Sequence, residues 1–456
     1  MLTPASFQTA TLTRHPHGEA AARIMAAAVQ SVEPGAALRR FVQRQGDNLS
    51  IDGQPYELPG GSRPGRIAIL GLGKAALGMS RALVEMLADL APFGLLIPKQ
   101  RPDSWQAALP GASFVIQPGG HPVPDENSLS AGRQALALAG GLNANDVLIC
   151  LISGGGSALM SVPRPGIALS DLQALTSALL ASGARIDEIN ILRRQLDLLK
   201  GGGLARAAAP ARVVSLILSD VVNNPLEAIA SGPTVPDPTG KADALRILEK
   251  YGLMAGTPPS ILRHLVPDAS ARPDLETKAE NPAVNVIIGS NALAVQAALE
   301  QSGREGFQAG SLGSDWQGEA RDVAVDLCRN LIQAETGEKP LCLVAGGETT
   351  VTIPAAQRNG RGGRNQELAL AAVIELTGRH DMLLASLASD GEDGPTDAAG
   401  AVASGDTLES GLARGLSPQA FLERHDAYAY FNALDDLIKP GPSGTNVNDL
   451  TFLFRG

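Results

Sequence analysis

In Asp146-Val-Leu-Ile-Cys-Leu-Ile152, followed at once by Ser153-Gly-Gly-Gly-Ser157, one aspartate opens an apolar run that stops on small residues. A run of that length and composition, bounded by glycine, reads as a strand buried on both faces of a sheet. The same pattern lies on either side of it, at Arg66 to Leu70, Gly94 to Pro98, Ser113 to Gln117 and Val213 to Leu218. Most of these runs are followed by a helical period, and that alternation predicts one mainly parallel sheet with crossover helices.

The chain has 456 residues, more than one core usually organises, so two α/β domains are expected. A Pro-rich polar stretch from Thr257 to Pro282 breaks the alternation, which restarts with Val284 to Ile288, Leu341 to Ala345 and Met382 to Leu387. This predicts domains over 1–265 and 280–456. Within the second, Thr349 to Ile353 alternates like an antiparallel strand, and helices are predicted over Asn291 to Ser302, Gln317 to Glu335 and Gln366 to Thr377. Ala-rich Glu19 to Val32 reads as an amphipathic helix packed on the first domain.

Composition narrows the function. A net charge of −10 argues against nucleic acid and anionic membranes as partners, while allowing a local basic pocket for a small anion. Only 3% of residues are aromatic, too few for a base-stacking platform. Cys150, Cys328 and Cys342 form neither a CxxC pair nor a metal-ligand spacing, which fits a reducing, cytoplasmic compartment. Met1 to Arg14 lacks the apolar core of a signal peptide, and no run approaches eighteen apolar residues, so a soluble, unexported enzyme is expected. A homo-oligomer remains open.

Three glycine clusters lie where chemistry is expected. Gly71-Leu-Gly-Lys-Ala-Ala76 directly follows the Arg66 to Leu70 strand and formally satisfies GxGxxA, a turn that brings an anion to a helix N-terminus. A dinucleotide site also wants an acidic residue after the next strand, and here that strand ends in Lys99-Gln100-Arg101. Ser153-Gly-Gly-Gly-Ser157 exposes backbone N–H groups and two hydroxyls that could cradle an oxyanion, but it is not a Walker A motif. Lys200-Gly-Gly-Gly203 follows a helical stretch carrying Asn190, Arg193 and Arg194, arginines that solvation or pairing would equally explain.

Carboxylates gather at two strand ends, Ser219-Asp220 and Ser389-Asp-Gly-Glu-Asp-Gly-Pro-Thr-Asp397, where they could hold Mg²⁺ or accept a proton, or merely cap helices. Arg361-Gly-Gly-Arg-Asn-Gln-Glu367 opens a helix after Gly346-Gly-Glu348, a setting in which arginine clamps phosphate. His121, inside Gly119-Gly-His-Pro-Val-Pro-Asp125, is the histidine framed by a glycine-proline motif.

Together these segments, with Ala230-Ser-Gly-Pro-Thr-Val-Pro-Asp237 and Gly444-Thr-Asn-Val-Asn-Asp449, resemble the glycerate 2-kinase family, whose C-terminal part is called the MOFRL domain. They run in order along nearly the whole chain. The resemblance implies two Rossmann-like domains facing a cleft that holds the active site, with ATP, Mg²⁺ and D-glycerate as the small-molecule partners and 2-phosphoglycerate as product. On this pattern Lys74 and Arg364 are the functional basic pair; the strand-end position of Asp220 makes it the third catalytic candidate. The binding candidates are Gly71, Gly73, His121, Ser153, Gly154, Gly155, Gly156, Ser157, Arg193, Lys200, Gly347, Glu348, Asn365 and Asn446, and the metal candidates are Asp220, Asp390 and Asp393. Two segments depart from the family pattern. Arg193-Arg-Gln-Leu-Asp197 stands where Arg-Lys-His-Leu-Ser is usual, and Asn223-Asn224 where Gly-Asp is usual. Some relatives carry the label hydroxypyruvate reductase, so NAD(P)H-dependent reduction is the alternative, and a non-catalytic sugar-acid binding protein is the third reading.

Overall fold

The structure is a computed structural model, and it describes residues 2–59, 64–101, 112–266, 282–335, 337–354 and 360–456. The strands are β1 (Val42–Gln45), β2 (Asn48–Ile51), β3 (Gln54–Glu57), β4 (Ile67–Leu72), β5 (Phe93–Ile97), β6 (Ser113–Ile116), β7 (Val147–Ile152), β8 (Arg212–Leu218) and β9 (Val284–Gly289). They continue as β10 (Gln308–Ser311), β11 (Trp316–Glu319), β12 (Leu341–Thr350), β13 (Met382–Ala388), β14 (Gly400–Ser404), β15 (Leu437–Ile438) and β16 (Asp449–Arg455). They divide between two compact units. One comprises Pro34–Ser219 and Asn224–Ile288; the other comprises Met1–Glu33, Asp220–Asn223 and Gly289–Gly456.

The first unit is built on a six-stranded sheet of order β6-β5-β4-β7-β8-β9, preceded by the small antiparallel sheet β1-β2-β3. Its central pairs β5·β4, β4·β7 and β7·β8 are all parallel. Every residue of β4 and β7 is buried, which is why both read as continuous apolar runs: helices cover both faces of a central parallel strand. Cys150 sits in the middle of β7, and burial pushes its thiol up to about 12, so it is a packing residue.

Strand β9 corrects the expected boundary. The sequence reads Val284 to Ile288 as the first strand of the second domain, but it hydrogen-bonds to β8 at the edge of the first sheet. Apolar alternation specifies a strand without specifying its neighbour. Residues 267–281, most of the predicted linker, lie outside the described residues, and its start folds into the helix Pro259–Leu265.

The second unit is also α/β, with a mixed sheet of order β10-β12-β16-β13-β14-β15 and β11 paired to β12. Parallel pairing is confined to β10·β12 and β11·β12, whereas β12·β16, β13·β16, β13·β14 and β14·β15 are antiparallel. The expectation of mainly parallel sheets therefore describes the first unit and not this one. The cause is β16, the last strand of the chain, which enters between β12 and β13 running against both.

The helix Gly18–Ser31 also belongs to this second unit, not to the first as its position suggests. It buries Ala21, Ala22, Ile24, Met25, Ala28 and Val29, and it packs on the helix Asn291–Arg304, a contact clamped by Arg23 and Glu305 at 2.8 Å. An alanine-rich face lets two helix backbones approach closely, and the sequence does not say which helix answers it.

Candidate active site in two loop clusters

In the first unit the cluster forms where β4 and β7 end side by side. Their parallel register pairs Leu72 with Ile152, so the two glycine turns leave the sheet at the same level. The Lys74 amide donates to the Gly154 carbonyl at 3.1 Å, and the Ala75 amide donates to Ser153 Oγ at 3.0 Å. Gly73 has φ +106°, and a Cβ there would lie 2.4 Å from the Ser153 carbonyl oxygen, so this turn closes only on glycine. Lys74 itself remains exposed at the head of the helix Ala76–Leu87.

His121 lies against Gly155. Burial and then the nearby charges of Lys99, Lys74 and Arg193 lower its pKa, which places three cations around one imidazole. Ser157 Oγ is 2.9 Å from Ser231 Oγ; Ser231 in turn donates to Asn190 Oδ1, and so does Arg193. Burial brings the Arg193 guanidinium down to about 10 against the pull of Asp197. The expected Lys74, His121, Ser153, Gly154, Gly155, Gly156, Ser157 and Arg193 thus fall in one electropositive neighbourhood suited to an anion.

Lys200 and Gly71 take other roles. Lys200 is 3% exposed, and its Nζ donates to Asp197 Oδ2 at 3.0 Å and to the Met160 carbonyl at 2.9 Å. The same carboxylate accepts from Ser161 Oγ, Val162 N and Leu199 N, so both members of the ion pair are consumed by the fold. Gly71 lies within β4, where a Cβ would meet Leu96 Cδ2 at 2.7 Å: it is a packing glycine.

The second cluster surrounds a cavity of about 540 Å³ in the other unit, within the size range of small-molecule sites. It is lined among others by Arg364, Glu367, Asp390, Asp393, His425 and Asn446. The helix Arg364–Glu375 aims its N-terminus here. Its N-cap, Gly363, has no side chain to offer, and Asp393 caps from a distant loop, accepting from the Asn365 amide at 3.2 Å and the Gln366 amide at 2.9 Å. A Cβ on Gly363 would lie 2.3 Å from Asp393 Cγ, so the glycine makes the room. Burial raises the Asp393 pKa despite these amides.

Arg364 is held by two carboxylates, Glu348 at 2.8 Å and Asp449 at 2.6 Å. Burial opposes its charge, yet Asp449 and Glu348 outweigh it and lift the guanidinium above its usual range. Asp449 pays the cost, since full burial pushes it up to about 7 although Arg364 and Asn365 pull the other way. Asn365 Nδ2 bridges Asp393 and Asp449, and its Oδ1 accepts from Ser386. Asp449 closes the Gly444 to Asp449 motif three residues after the candidate Asn446, and it is not itself among the site residues the sequence reading names.

Gly347 is structural: a Cβ there would lie 2.1 Å from the Trp316 carbonyl oxygen, so it lets β11 pair with β12. Asp393 also departs from expectation as a metal ligand, because both its oxygens serve the helix. Asp390 remains a fitting oxygen donor for a hard cation; it lines the cavity and accepts the Glu392 amide at 3.2 Å. Asp220 is half-buried just beyond β8. Among the described residues no group of three or more His, Cys, Asp and Glu is placed to hold a metal ion.

A fold of this kind, with a glycine edge beside basic side chains in one unit and a clamped arginine in the other, fits a phosphotransferase class. Residues 20–266 match the family described as a domain of unknown function, DUF4147, and residues 341–449 match the MOFRL family. The glycerate 2-kinase of Pyrococcus horikoshii is 37% identical over 94% of this chain and 95% of its own. The crystal structure of glycerate kinase from Thermotoga maritima superposes with a TM-score of 0.82 at 35% identity, covering 96% of this chain and 99% of that one. A protein of Agrobacterium vitis named for hydroxypyruvate reductase is 38% identical over 86% of this chain and all of its own. The chain belongs to the MOFRL-domain glycerate 2-kinase family. Among the described residues no helix is long and apolar enough to cross a membrane.

Proposed function

We propose that this protein is an ATP-dependent glycerate 2-kinase, which transfers the γ-phosphoryl of ATP to the 2-hydroxyl of D-glycerate to give 2-phosphoglycerate and ADP. The observation that carries the reading is Arg364, a guanidinium fixed by Glu348 and Asp449 at the mouth of a helix N-terminus in a ligand-sized cavity. Phosphoryl transfer needs little covalent chemistry from the protein; it needs positive charge and oriented N–H groups around the equatorial oxygens. Arg364 supplies the first here, and Lys74 with the Ser153 to Ser157 loop supplies both in the other unit. Each cluster is proposed to hold an anionic reactant, the acid or the nucleotide phosphates. Asp390 is the carboxylate proposed to hold Mg²⁺, which when bound neutralises phosphate charge. Asp220 is proposed to accept the proton of the 2-hydroxyl.

The reductase reading is weaker at the first glycine turn, because β5 runs into Lys99-Gln100-Arg101 where a ribose would want a carboxylate. The test is ADP formation by the purified protein with ATP, Mg²⁺ and D-glycerate, alongside NADPH oxidation with hydroxypyruvate. Glycerate-dependent ADP is expected, with no NADPH consumed. Hydroxypyruvate-dependent NADPH oxidation without ADP formation would replace the kinase by the reductase.

A further inference from the structure

We infer that Arg193 selects the acid substrate, its unpaired guanidinium edge taking the carboxylate of a small 2-hydroxy acid beside the glycine loop of the first unit. The inference rests on the kinase reading and adds which cluster takes the acid.

Arg193 and Arg194 are neighbours on the helix Ile186–Leu196, and the fold treats them in opposite ways. Arg194 commits every nitrogen: Nε donates to Asp237 Oδ1 at 2.8 Å, Nη1 to the Glu227 carbonyl at 3.0 Å and Nη2 to Thr239 Oγ1 at 3.3 Å. Half-buried Arg193 makes one contact, from Nη1 to the neutral Asn190 Oδ1 at 3.2 Å. Asp197, the carboxylate that pulls on it, is already taken by Lys200, Ser161 and the Val162 and Leu199 amides. Among the described residues Nε and Nη2 of Arg193 have no partner, and neither is shut off from solvent. A guanidinium held among apolar side chains with its fork vacant is costly until an anion fills it. Arg364 differs, since carboxylates already sit on its Nη1 and Nε.

Asn190 aims the fork. Its Nδ2 donates to the Ala228 carbonyl at 3.3 Å, which turns Oδ1 toward both Arg193 and Ser231, and Ser231 Oγ lies 2.9 Å from Ser157 Oγ. The vacant edge is thereby tied to the glycine loop, where Lys74, Lys99 and Arg193 act together on the His121 ring against Gly155. Size then narrows the anion. Arg193 and Ser157 share a space that closes on Leu172, Leu175 and Leu192 with about 20 Å³ left, room for one water. A nucleoside does not enter it, whereas a three-carbon acid can rest at its mouth with both carboxylate oxygens on the fork.

The experiment compares Arg193→Met, which removes the charge, with Arg193→Lys, which keeps the charge and loses the fork. With ATP and Mg²⁺, Arg193→Met should lose roughly 100-fold in kcat/KM for D-glycerate, through KM for the acid and with KM for ATP unchanged. Arg193→Lys should recover only part of that loss. Glyceramide, the neutral amide of the same acid, should be an equally poor substrate for the wild type and Arg193→Met. A rise in KM for ATP, wild-type behaviour of either variant, or the same fold loss on glyceramide as on D-glycerate overturns the assignment. Independently of turnover, phenylglyoxal should label Arg193 in the wild-type protein, as mapped by peptide mass, with protection by D-glycerate and none by ATP. An unlabelled Arg193, protection by ATP, or protection by neither overturns the inference even if the variants fail to fold. Protection by D-glycerate in a protein that makes no ADP keeps the acid site and rejects the kinase.

Discussion

Lys74 and Lys200 each adjoin glycine in a loop, yet Lys74 keeps its ammonium in solvent while Lys200 buries it against Asp197. Their alanine or methionine variants should therefore fail differently. Lys74→Ala is expected to lower kcat/KM by about 100-fold, the loss of roughly 3 kcal/mol of contact to a developing anion, with an unchanged melting temperature. Lys200→Met strands a carboxylate in the core and should cost about 3–5 kcal/mol of stability by urea titration. A third residue prediction concerns pH. Asp449 has a folded pKa lifted to about 7, so protonation favours the folded state: its contribution is full below about pH 4 and is lost as pH rises through 7. Asp449→Asn does not titrate, so its melting temperature relative to wild type should climb between pH 4 and 8; a constant difference would deny the shift. In the sequence, Lys74 was legible because a lysine at the end of a strand-to-helix glycine turn has few ways to be buried. Lys200 was not, because its partner lies three residues away and its burial is decided by Met160 and Ser161 from another part of the chain.

The helix Arg364–Glu375 shows how an element can borrow its start from elsewhere. Asp393 reaches across the gap left by Gly363 to take two of its free amides, and Asn365 ties that carboxylate to Asp449. Asp393→Ala leaves these buried donors unpaired and should cost at least about 2 kcal/mol, while loosening Arg364 at the first helical position. The expected result is a lower urea midpoint together with a lower kcat. A loss of activity at unchanged stability would return Asp393 to a metal-binding role. The motif Gly362-Gly-Arg-Asn-Gln-Glu367 announced both a helix start and a phosphate clamp, and the start is observed within two residues of expectation. What it could not announce is that the acidic loop serves the helix before it serves a ligand, since that depends on β13 ending beside the helix.

At the scale of the molecule, the apolar runs gave away both sheets, but neither Val284 to Gly289 nor the alanine-rich Gly18–Ser31 says which unit it joins. Residues 1–33 complete the unit formed by 289–456, so a fragment of 289–456 alone should expose the face that Ile24, Met25 and Val29 cover. Low solubility and dye binding to exposed apolar surface are expected, relieved by adding the segment back; a soluble, cooperatively melting fragment would contradict the pairing. The position of β16 carries a further consequence for a ribosome. The sheet of this unit has β16 in the middle, between β12 and β13, although β16 is made after both, while the helix Gly18–Ser31 that packs on this unit is made long before any of them. At about 5–20 residues per second, that helix waits roughly 20 to 80 s before the strand that closes its sheet exists. Through that interval the nascent chain holds a greasy helix, joined near its end by the open edges of β12 and β13, so its yield in the cell should depend on holdase chaperones more than its final stability would suggest.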